Sequence, residues 1–384
     1  LATRYLHVEI AASQTSKQPN APCGDLVRWV RTPAATTLVC ADGIGSGIKA
    51  NVAAQICVAR LMGLLEEGFS LRQAFASLVT SIEKTKTDPS SYVAFSLARI
   101  LNDGETTVLS YESPGPILVA RTSAVELPRR TVVVEGAITE EASCHLEPGE
   151  GILLVSDGVS QAGLGGRVRG GWQVEGVCRY VTGLLGARVS PGDIPESVTR
   201  RAVQLSAGTV GDDTTALHAW CRAGKTVTIL TGPPAEKRRD HEVAHRFMSA
   251  DGAKVICGAT TADLVARYLG TEVGIDHTSQ SLVTPPSYVL DGVDLVTEGA
   301  VTLNQLYNVL DADEEMFEEE SAVTQLHDLL RSADRVNILL GQARNPANAH
   351  ITFRQQGILP RHKIIELLAE KLRALGKLVV VERV

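Results

Sequence analysis

The residues that could do chemistry are aspartates, each beside a glycine or a second aspartate. They stand in Gly24-Asp25, in Ala41-Asp42-Gly43-Ile44-Gly45-Ser46-Gly47, in Ser156-Asp157-Gly158, and in Gly211-Asp212-Asp213-Thr214-Thr215. Apolar runs lead into two of them, Thr37-Leu38-Val39-Cys40 and Ile152-Leu153-Leu154-Val155. Carboxylates gathered at strand ends repel one another unless a cation lies between them. A set of oxygen donors alone suits Mg²⁺ or Mn²⁺ and not zinc. The chemistry this predicts is metal-dependent hydrolysis of a phosphate. Where two ions lie ~3.5–4 Å apart, a water between them loses a proton easily and attacks phosphorus in line. Glycine after Asp42 and Asp157 frees the backbone, so the Gly43 carbonyl could face a metal. Any single Asp-Gly pair is an ordinary turn signal; the reading rests on the set. The loop with Gly43, Gly45 and Gly47 also imitates a dinucleotide fingerprint. That motif places its third glycine one position later, and Asp42 at the strand end would repel a pyrophosphate.

These residues need strands to deliver them. Residues 5–11 alternate weakly and predict a strand, and Ser13–Cys23, with Pro19 and Pro22, predicts a loop. From Ile48 to Leu65 the chain is apolar on most faces, which predicts a largely buried helix. The next helix has a capping-box pattern at Ser70 and Gln73, with Leu71, Ala74, Phe75, Leu78, Val79 and Ile82 on one face. Strands follow at 92–100, 105–111, 116–121, 131–135 and 151–156, with a hairpin signal at Asn102-Asp103-Gly104. A glycine- and arginine-rich loop spans 162–171. Helices are expected at 174–186 and 195–206 and a strand at 215–221. Strands adjacent in sequence favour antiparallel pairing, so this half reads as α+β.

The rhythm changes after Arg222-Ala223-Gly224-Lys225, which predicts domains at 1–223 and 224–384. Strands at 227–230, 253–257, 293–297, 336–340 and 378–381 alternate with helices at 240–250, 261–269, 302–310, 321–332 and 361–375. Such alternation predicts a smaller α/β domain with a mainly parallel sheet. His241-Glu242-Val243-Ala244-His245 satisfies H-E-x-x-H. On a helix His241 and His245 would share a face and could hold zinc with Glu242 as base, a metallopeptidase arrangement. Against it, Val243, Ala244, Phe247 and Met248 supply a packing face, and Asp263 and Glu272 are third ligands only by distance. Thr231-Gly232-Pro233-Pro234 and Gly258-Ala259-Thr260-Thr261 are βα turns that could take a small anionic ligand. The acidic run Asp311–Glu320 could dock a basic partner but reads first as a solvated surface, and His350 stands in a polar loop with Asn345 and Asn348.

Composition bounds the classes. The chain has 384 residues, 44% of them apolar, and net charge −7, which argues against a general nucleic-acid or anionic-membrane surface. Its seven cysteines are scattered and never form C-x-x-C, so they read as buried hydrophobes in a reducing compartment. Leu1–Tyr5 hold no apolar signal-peptide core, and no apolar run approaches the ~20 residues that span a bilayer. The expectation is a cytoplasmic protein without a membrane or nucleic-acid partner.

The order and spacing of Gly24-Asp25, Asp42-Gly43-x-Gly45-x-Gly47, Ser156-Asp157-Gly158 and Asp212-Asp213-x-Thr215 resemble the metal-dependent type 2C serine/threonine phosphatases. The resemblance is to the bacterial branch that includes stage II sporulation protein E, and covers residues 1–222. Glu147–Val155 and Ser113-Pro114-Gly115-Pro116-Ile117-Leu118 are similar to that family's stretches as well. The resemblance implies a β-sandwich flanked by helices, with two Mn²⁺ or Mg²⁺ ions at one end between the sheets. It implies that Asp42 bridges both ions, that the Gly43 carbonyl binds one, that Asp157 and Asp212 complete the other, and that Asp25 binds directly or through water. It implies hydrolysis of phosphoserine or phosphothreonine in a regulatory protein of the anti-sigma-factor-antagonist type, with residues 224–384 as a regulatory or ligand-sensing domain. Two positions depart from the pattern. Gln161 stands where relatives carry an acidic residue, and Thr214 replaces an apolar one. A zinc peptidase and a non-catalytic phosphoprotein-binding module are the alternatives.

Overall fold

A computed structural model describes residues 5–18, 20–85, 92–166, 168–206, 211–275, 288–312, 321–343 and 358–384. His350, Asn345, Asn348 and most of the acidic run lie outside the described residues. The chain divides into two compact units, Leu1–Ala223 and Gly224–Val384.

In the first unit, strands β1 (Leu6–Thr15), β2 (Asp25–Arg31) and β3 (Ala35–Gly43) precede helices α1 (Ile48–Glu66) and α2 (Leu71–Thr85). Strands β4 (Val93–Leu101), β5 (Glu105–Tyr111), β6 (Ile117–Val119), β7 (Ala124–Glu126), β8 (Arg130–Val134), β9 (Ala137–His145) and β10 (Gly151–Val155) follow. Helices α3 (Asp157–Ser160), α4 (Gln173–Gly186) and α5 (Ile194–Leu205) then lead to β11 (Thr214–Ala223). One sheet has the order β1-β11-β10-β6-β7 and the other β2-β3-β4-β5-β9-β8. Every pairing within them is antiparallel.

Alternation along β3 explains the layers. Leu38 and Cys40 face the other sheet and pack with Ile152, Leu154, Leu217 and Ala219. Val39 and Ala41 point the opposite way, onto α1 and α2. The outer face of the first sheet, with Leu153, Val155 and Ala216, is covered by Val177 and Val181 of α4 and Val198 of α5. The unit is a β-sandwich with helices on both outer faces. The α2 cap forms as the sequence predicts: Ser70 N–H donates to Gln73 Oε1 at 3.0 Å, and the buried face is Leu71, Ala74, Phe75, Leu78, Val79 and Ile82.

The expectation of a largely buried first helix is corrected. α1 buries Ala50, Ala54, Cys57, Val58 and Leu61, a stripe against the sheet, while Ile48, Val52 and Ile56 are 70%, 46% and 64% exposed. A helix lying on one sheet has one side to bury, whatever its composition. Among the described residues α1 is also the one helix long and apolar enough, at 19 residues, to cross a membrane by length and composition. Lys49 and Arg60 interrupt the stretch, so no unbroken apolar run marks it in the sequence. Its buried stripe packs against the sheet.

In the second unit, β12 (Thr226–Thr231), α6 (Asp240–Met248), β13 (Ala253–Cys257), α7 (Ala259–Leu269), β14 (Gly274–Ile275), β15 (Tyr288–Val289) and β16 (Leu295–Thr297) come first. They are followed by α8 (Ala300–Val309), α9 (Ala322–Ser332), β17 (Arg335–Leu340), α10 (Arg361–Ala374) and β18 (Leu378–Arg383). The sheet order is β14-β15-β16-β13-β12-β17-β18. The pairs from β16 through β18 are parallel, and β14 and β15 add an antiparallel edge. Helices α6 and α7 cover one face and α8, α9 and α10 the other. This is a doubly wound α/β sheet.

Candidate metal centre

Strand pairing assembles the centre. β2 and β3 pair antiparallel with Asp25 directly opposite Asp42, and on the other side of β3 Asp42 faces Ala94. Directly opposed residues of an antiparallel pair project from one face with Cβ atoms about 4.5–5.5 Å apart, and like charges there destabilise. Asp25 is 2% exposed, and neither of its carboxylate oxygens has a hydrogen-bond partner. Burial, before any other cause, pushes the Asp42 carboxyl far above the ordinary carboxylate range, with Asp25 and Asp157 adding repulsion. Burial raises Asp25 too, against the polar neighbours Thr215 and Ser156.

The other aspartates come from the second sheet. β10 ends at Val155, and Asp157 opens α3. Ser156 N–H donates to the Thr215 carbonyl at 3.0 Å and Thr215 N–H to Ser156 Oγ at 2.9 Å. This bracket holds Asp157 beside the head of β11, where Asp212 stands. Burial raises the Asp212 pKa, and Asp157 is one of the charges that add to it. Gly158 is required by contact: a Cβ there would lie 2.1 Å from the Asp213 carbonyl oxygen. The same holds at Gly43, where a Cβ would lie 2.2 Å from the Ala50 carbonyl oxygen. Both glycines therefore serve close packing, and the expectation that they free the backbone is corrected.

Two neighbours named in the sequence motifs take supporting positions around the aspartates. Asp213 is 3% exposed and accepts from Lys17 N–H at 2.7 Å and Gly24 N–H at 2.8 Å. One carboxylate thus ties both ends of the loop before Asp25 to β11. Gln161 donates from Nε2 to Asp157 Oδ2 at 3.1 Å, so the residue that departs from the family pattern holds an aspartate in place. Glu112, in a left-handed conformation with φ 51°, also lines the cavity that opens over the aspartates. That cavity has a volume of about 320 Å³, and Asp42, Asp157, Asp212, Tyr92 and Ser113 line it as well.

The residues fit a hard divalent cation. The donors are all oxygen, and the buried, unpartnered Asp25 oxygens lie opposite the half-buried Asp42 carboxylate. Among the described residues no group of three or more His, Cys, Asp or Glu is gathered tightly enough to hold an ion as the side chains stand. The aspartates form a chain of neighbours, Asp25 to Asp42 to Asp157 to Asp212.

The histidine motif gathers no such set. His241 and His245 lie on α6 with ring centres 4.9 and 6.3 Å from that of Tyr268, and both pack edge-on against it. Glu242 pairs with Arg239 at 3.2 Å. Asp263 and Glu272, the candidate third ligands, are exposed.

Residues 32–222 match the family model described as stage II sporulation protein E. No curated protein sequence matches the chain. Among solved structures, the phosphatase domain with a regulatory-domain fragment of the cell-fate determinant SpoIIE from Bacillus subtilis is 17% identical, with a TM-score of 0.49. That alignment covers 57% of this chain and 63% of the other, so this chain spans less than two thirds of that relative. The RsbU and RsbW domains of Rv1364c from Mycobacterium tuberculosis are 18% identical, with coverage of 64% and 68% and a TM-score of 0.47. RsbX in complex with magnesium is 14% identical, with coverage of 56% and 96% and a TM-score of 0.41. Likeness at this level assigns no residue.

Proposed function

We propose that the first unit, which belongs to the stage II sporulation protein E-like branch of the metal-dependent type 2C phosphatases, hydrolyses phosphoserine or phosphothreonine in a regulatory protein. The observation that carries the reading is the opposed pair Asp25 and Asp42, in which the buried Asp25 oxygens, without a hydrogen-bond partner, face a half-buried second carboxylate and demand a counter-charge. Asp25, Asp42, the Gly43 carbonyl, Asp157 and Asp212 would hold two ions, Mn²⁺ or Mg²⁺. The chemistry those ions supply when bound is acidification of a water and neutralisation of phosphoryl charge.

The chain's own residues do the positioning. Asp213 anchors the loop that carries Asp25, and the Ser156–Thr215 bracket fixes Asp157. Gln161 sets the Asp157 carboxylate orientation through one of its oxygens. Lys17 brings a cation to the mouth: its Nζ is 3.9 Å from Asp212 Oδ1, both side chains being 44% exposed. A contact that long and that wet is worth little in stability. The ammonium is thus available to an incoming phosphate. The cavity, open to solvent at Asp212, suits a side-chain phosphate on a protein surface.

The substrate class follows the resemblance: a small phosphoprotein of the anti-sigma-factor-antagonist type, in a cytoplasmic setting that agrees with seven free cysteines. The second unit is proposed as a regulatory or ligand-sensing module. The test is hydrolysis of p-nitrophenyl phosphate and a phosphoserine peptide, with and without Mn²⁺, by wild type and Asp42→Asn. Mn²⁺-dependent turnover lost in the variant is the expected result. Metal binding without turnover would replace the enzyme with a phosphoprotein-binding module, and no metal binding at all would end the reading.

A further inference from the structure

The second unit carries a feature that the phosphatase chemistry does not use. Its parallel strands lie in the order β16-β13-β12-β17-β18, which in chain sequence is 3-2-1-4-5. The chain leaves the carboxyl end of β12 for α6 on one face, and the carboxyl end of β17 leads to α10 on the other. In sheets wound this way, ligands bind beyond the carboxyl ends of the strands where the winding reverses. Here that place is between β12 and β17.

The two strand ends approach closely. A Cβ on Gly341, just after β17, would lie 2.0 Å from the Gly232 carbonyl oxygen and 2.3 Å from that of Pro233. Gly232, just after β12, has φ 82°, and the space its missing side chain leaves is filled by Arg361. A Cβ there would lie 1.9 Å from Arg361 Nη1 and 2.1 Å from Cζ. Arg361 Nη2 donates to the carbonyls of Gly341 at 3.0 Å and Ala343 at 2.8 Å. Gly232 N–H is turned inward to Thr261 Oγ1 at 2.9 Å.

Two main-chain carbonyls therefore hold Nη2 and orient the guanidinium, leaving the N–H groups of Nη1 and Nε. Among the described residues no carboxylate pairs with it; the ion pairs of the neighbouring cations, Arg246 with Glu382 and Arg383 with Glu366, leave Arg361 out. It is half-buried, and burial alone lowers its pKa. A half-buried cation held rigidly without a counter-anion is costly to keep unless an anion completes it. Hydrogen bonds from a guanidinium to an oxyanion are charge-assisted and stronger than neutral ones, and Nη1 and Nε still have N–H groups to give.

We propose that Arg361, held over Gly232 and Gly341 where the winding of the sheet reverses, binds the phosphate or carboxylate of a small molecule. The site belongs to the second unit alone and does not depend on the metal centre.

The test is calorimetric titration of the full chain in excess EDTA, so that the metal centre makes no contribution. The probes are inorganic phosphate, pyrophosphate and ADP on one arm, and succinate on the other. Binding by at least one probe is expected, with affinity lowered tenfold or more in Arg361→Gln and unchanged in Asp42→Asn. Arg361→Lys keeps the charge and removes the Nη1 and Nε donors, so it serves if Arg361→Gln fails to fold; the same tenfold loss is expected. No binding by any probe overturns the proposal. So does equal binding by wild type and both variants, and a lowered urea midpoint with binding unchanged would make Arg361 a structural tie between strand end and helix.

Discussion

Replacing Asp42 by asparagine should change the sign of its effect on stability with the metal. In chelated protein, Asp25 and Asp42 are opposed across two strands, and both resist ionisation because of burial. Two charges about 5 Å apart in a medium of effective dielectric near 20 repel by roughly 3 kcal/mol. That sum is the ceiling on what neutralising one of them returns. Both carboxyl pKa values are raised in the fold, so their stabilising contribution is full below the ordinary value of 3.8 and is lost as pH rises through the raised values. Chelated wild type should therefore lose stability steadily from weakly acidic to alkaline pH, and Asp42→Asn should flatten that loss. At pH 8 in EDTA the variant should melt higher. The unit spans Leu1–Ala223, and for its size 1 kcal/mol corresponds to about 2–4 °C. The gain is then at most about 12 °C. With saturating Mn²⁺ the order should reverse, because the wild type gains binding free energy that the variant has lost. Thermal melts followed by circular dichroism at pH 5 and pH 8, each with EDTA or Mn²⁺, supply the measurement. A variant that melts lower than wild type in EDTA at pH 8, or one that Mn²⁺ stabilises equally, would refute the electrostatic account of the pair.

Gly158→Ala should cost about 1–3 kcal/mol in urea unfolding and abolish the Mn²⁺ shift, because its Cβ would drive into the Asp213 carbonyl at 2.1 Å. Gln161→Ala should leave the fold intact and weaken Mn²⁺ binding about tenfold in a fluorescence or calorimetric titration, as loss of a ligand-orienting hydrogen bond does. His241→Ala and His245→Ala should leave zinc content and phosphatase rate unchanged and shift stability by less than about 1 kcal/mol, since both rings sit exposed against Tyr268; zinc retained by wild type and lost in either variant would restore the peptidase reading. Leu38→Ala, fully buried between the sheets, should destabilise the first unit by about 2–5 kcal/mol in chemical denaturation.

The second unit was the more legible half. Its central strands are largely buried on both faces, so Val227–Leu230, Ala253–Cys257 and Val336–Leu340 read as mainly apolar runs, each with a single polar residue (Thr228, Lys254, Asn337), between amphipathic helices. In the first unit β2 and β9 lack a strand pattern in sequence, because their polar residues find partners only in the fold. β9 contains Thr139, Glu140 and Glu141, and Glu141 is 6% exposed because Arg72 of α2 and Arg130 of β8 both reach it. β2, an edge strand, mixes Asp25, Arg28 and Arg31 with a 43% exposed Trp29. Neither pattern signals a strand until the partners are in place. At the metal centre, which aspartates matter is visible from glycine neighbours and strand ends. The division of labour between Asp212 and Asp213 is not: one faces the cavity and the other is consumed by two backbone amides. That choice depends on where the loop from Lys17 to Gly24 arrives, a fact of chain path.

The hairpin that opposes Asp25 to Asp42 runs unbroken to Arg31 opposite Thr36, and closes in a turn where Thr32 N–H bonds the Ala35 carbonyl at 2.8 Å. Six residue steps at about 3.4 Å place that turn roughly 20 Å from the acid pair. It is a surface turn, the sort of place where an epitope tag or a new chain terminus is usually introduced. The ladder contains no bulge to absorb a change in length. Removing one residue from the tip would slide one strand past the other and present Leu26 where Asp25 belongs, facing the opposite side of the sheet. Insertions that merely enlarge the turn leave the ladder untouched. The tip therefore acts as a one-sided gauge for the centre, tolerant of added length and intolerant of lost length, and it sets the alignment of two carboxylates that it never touches.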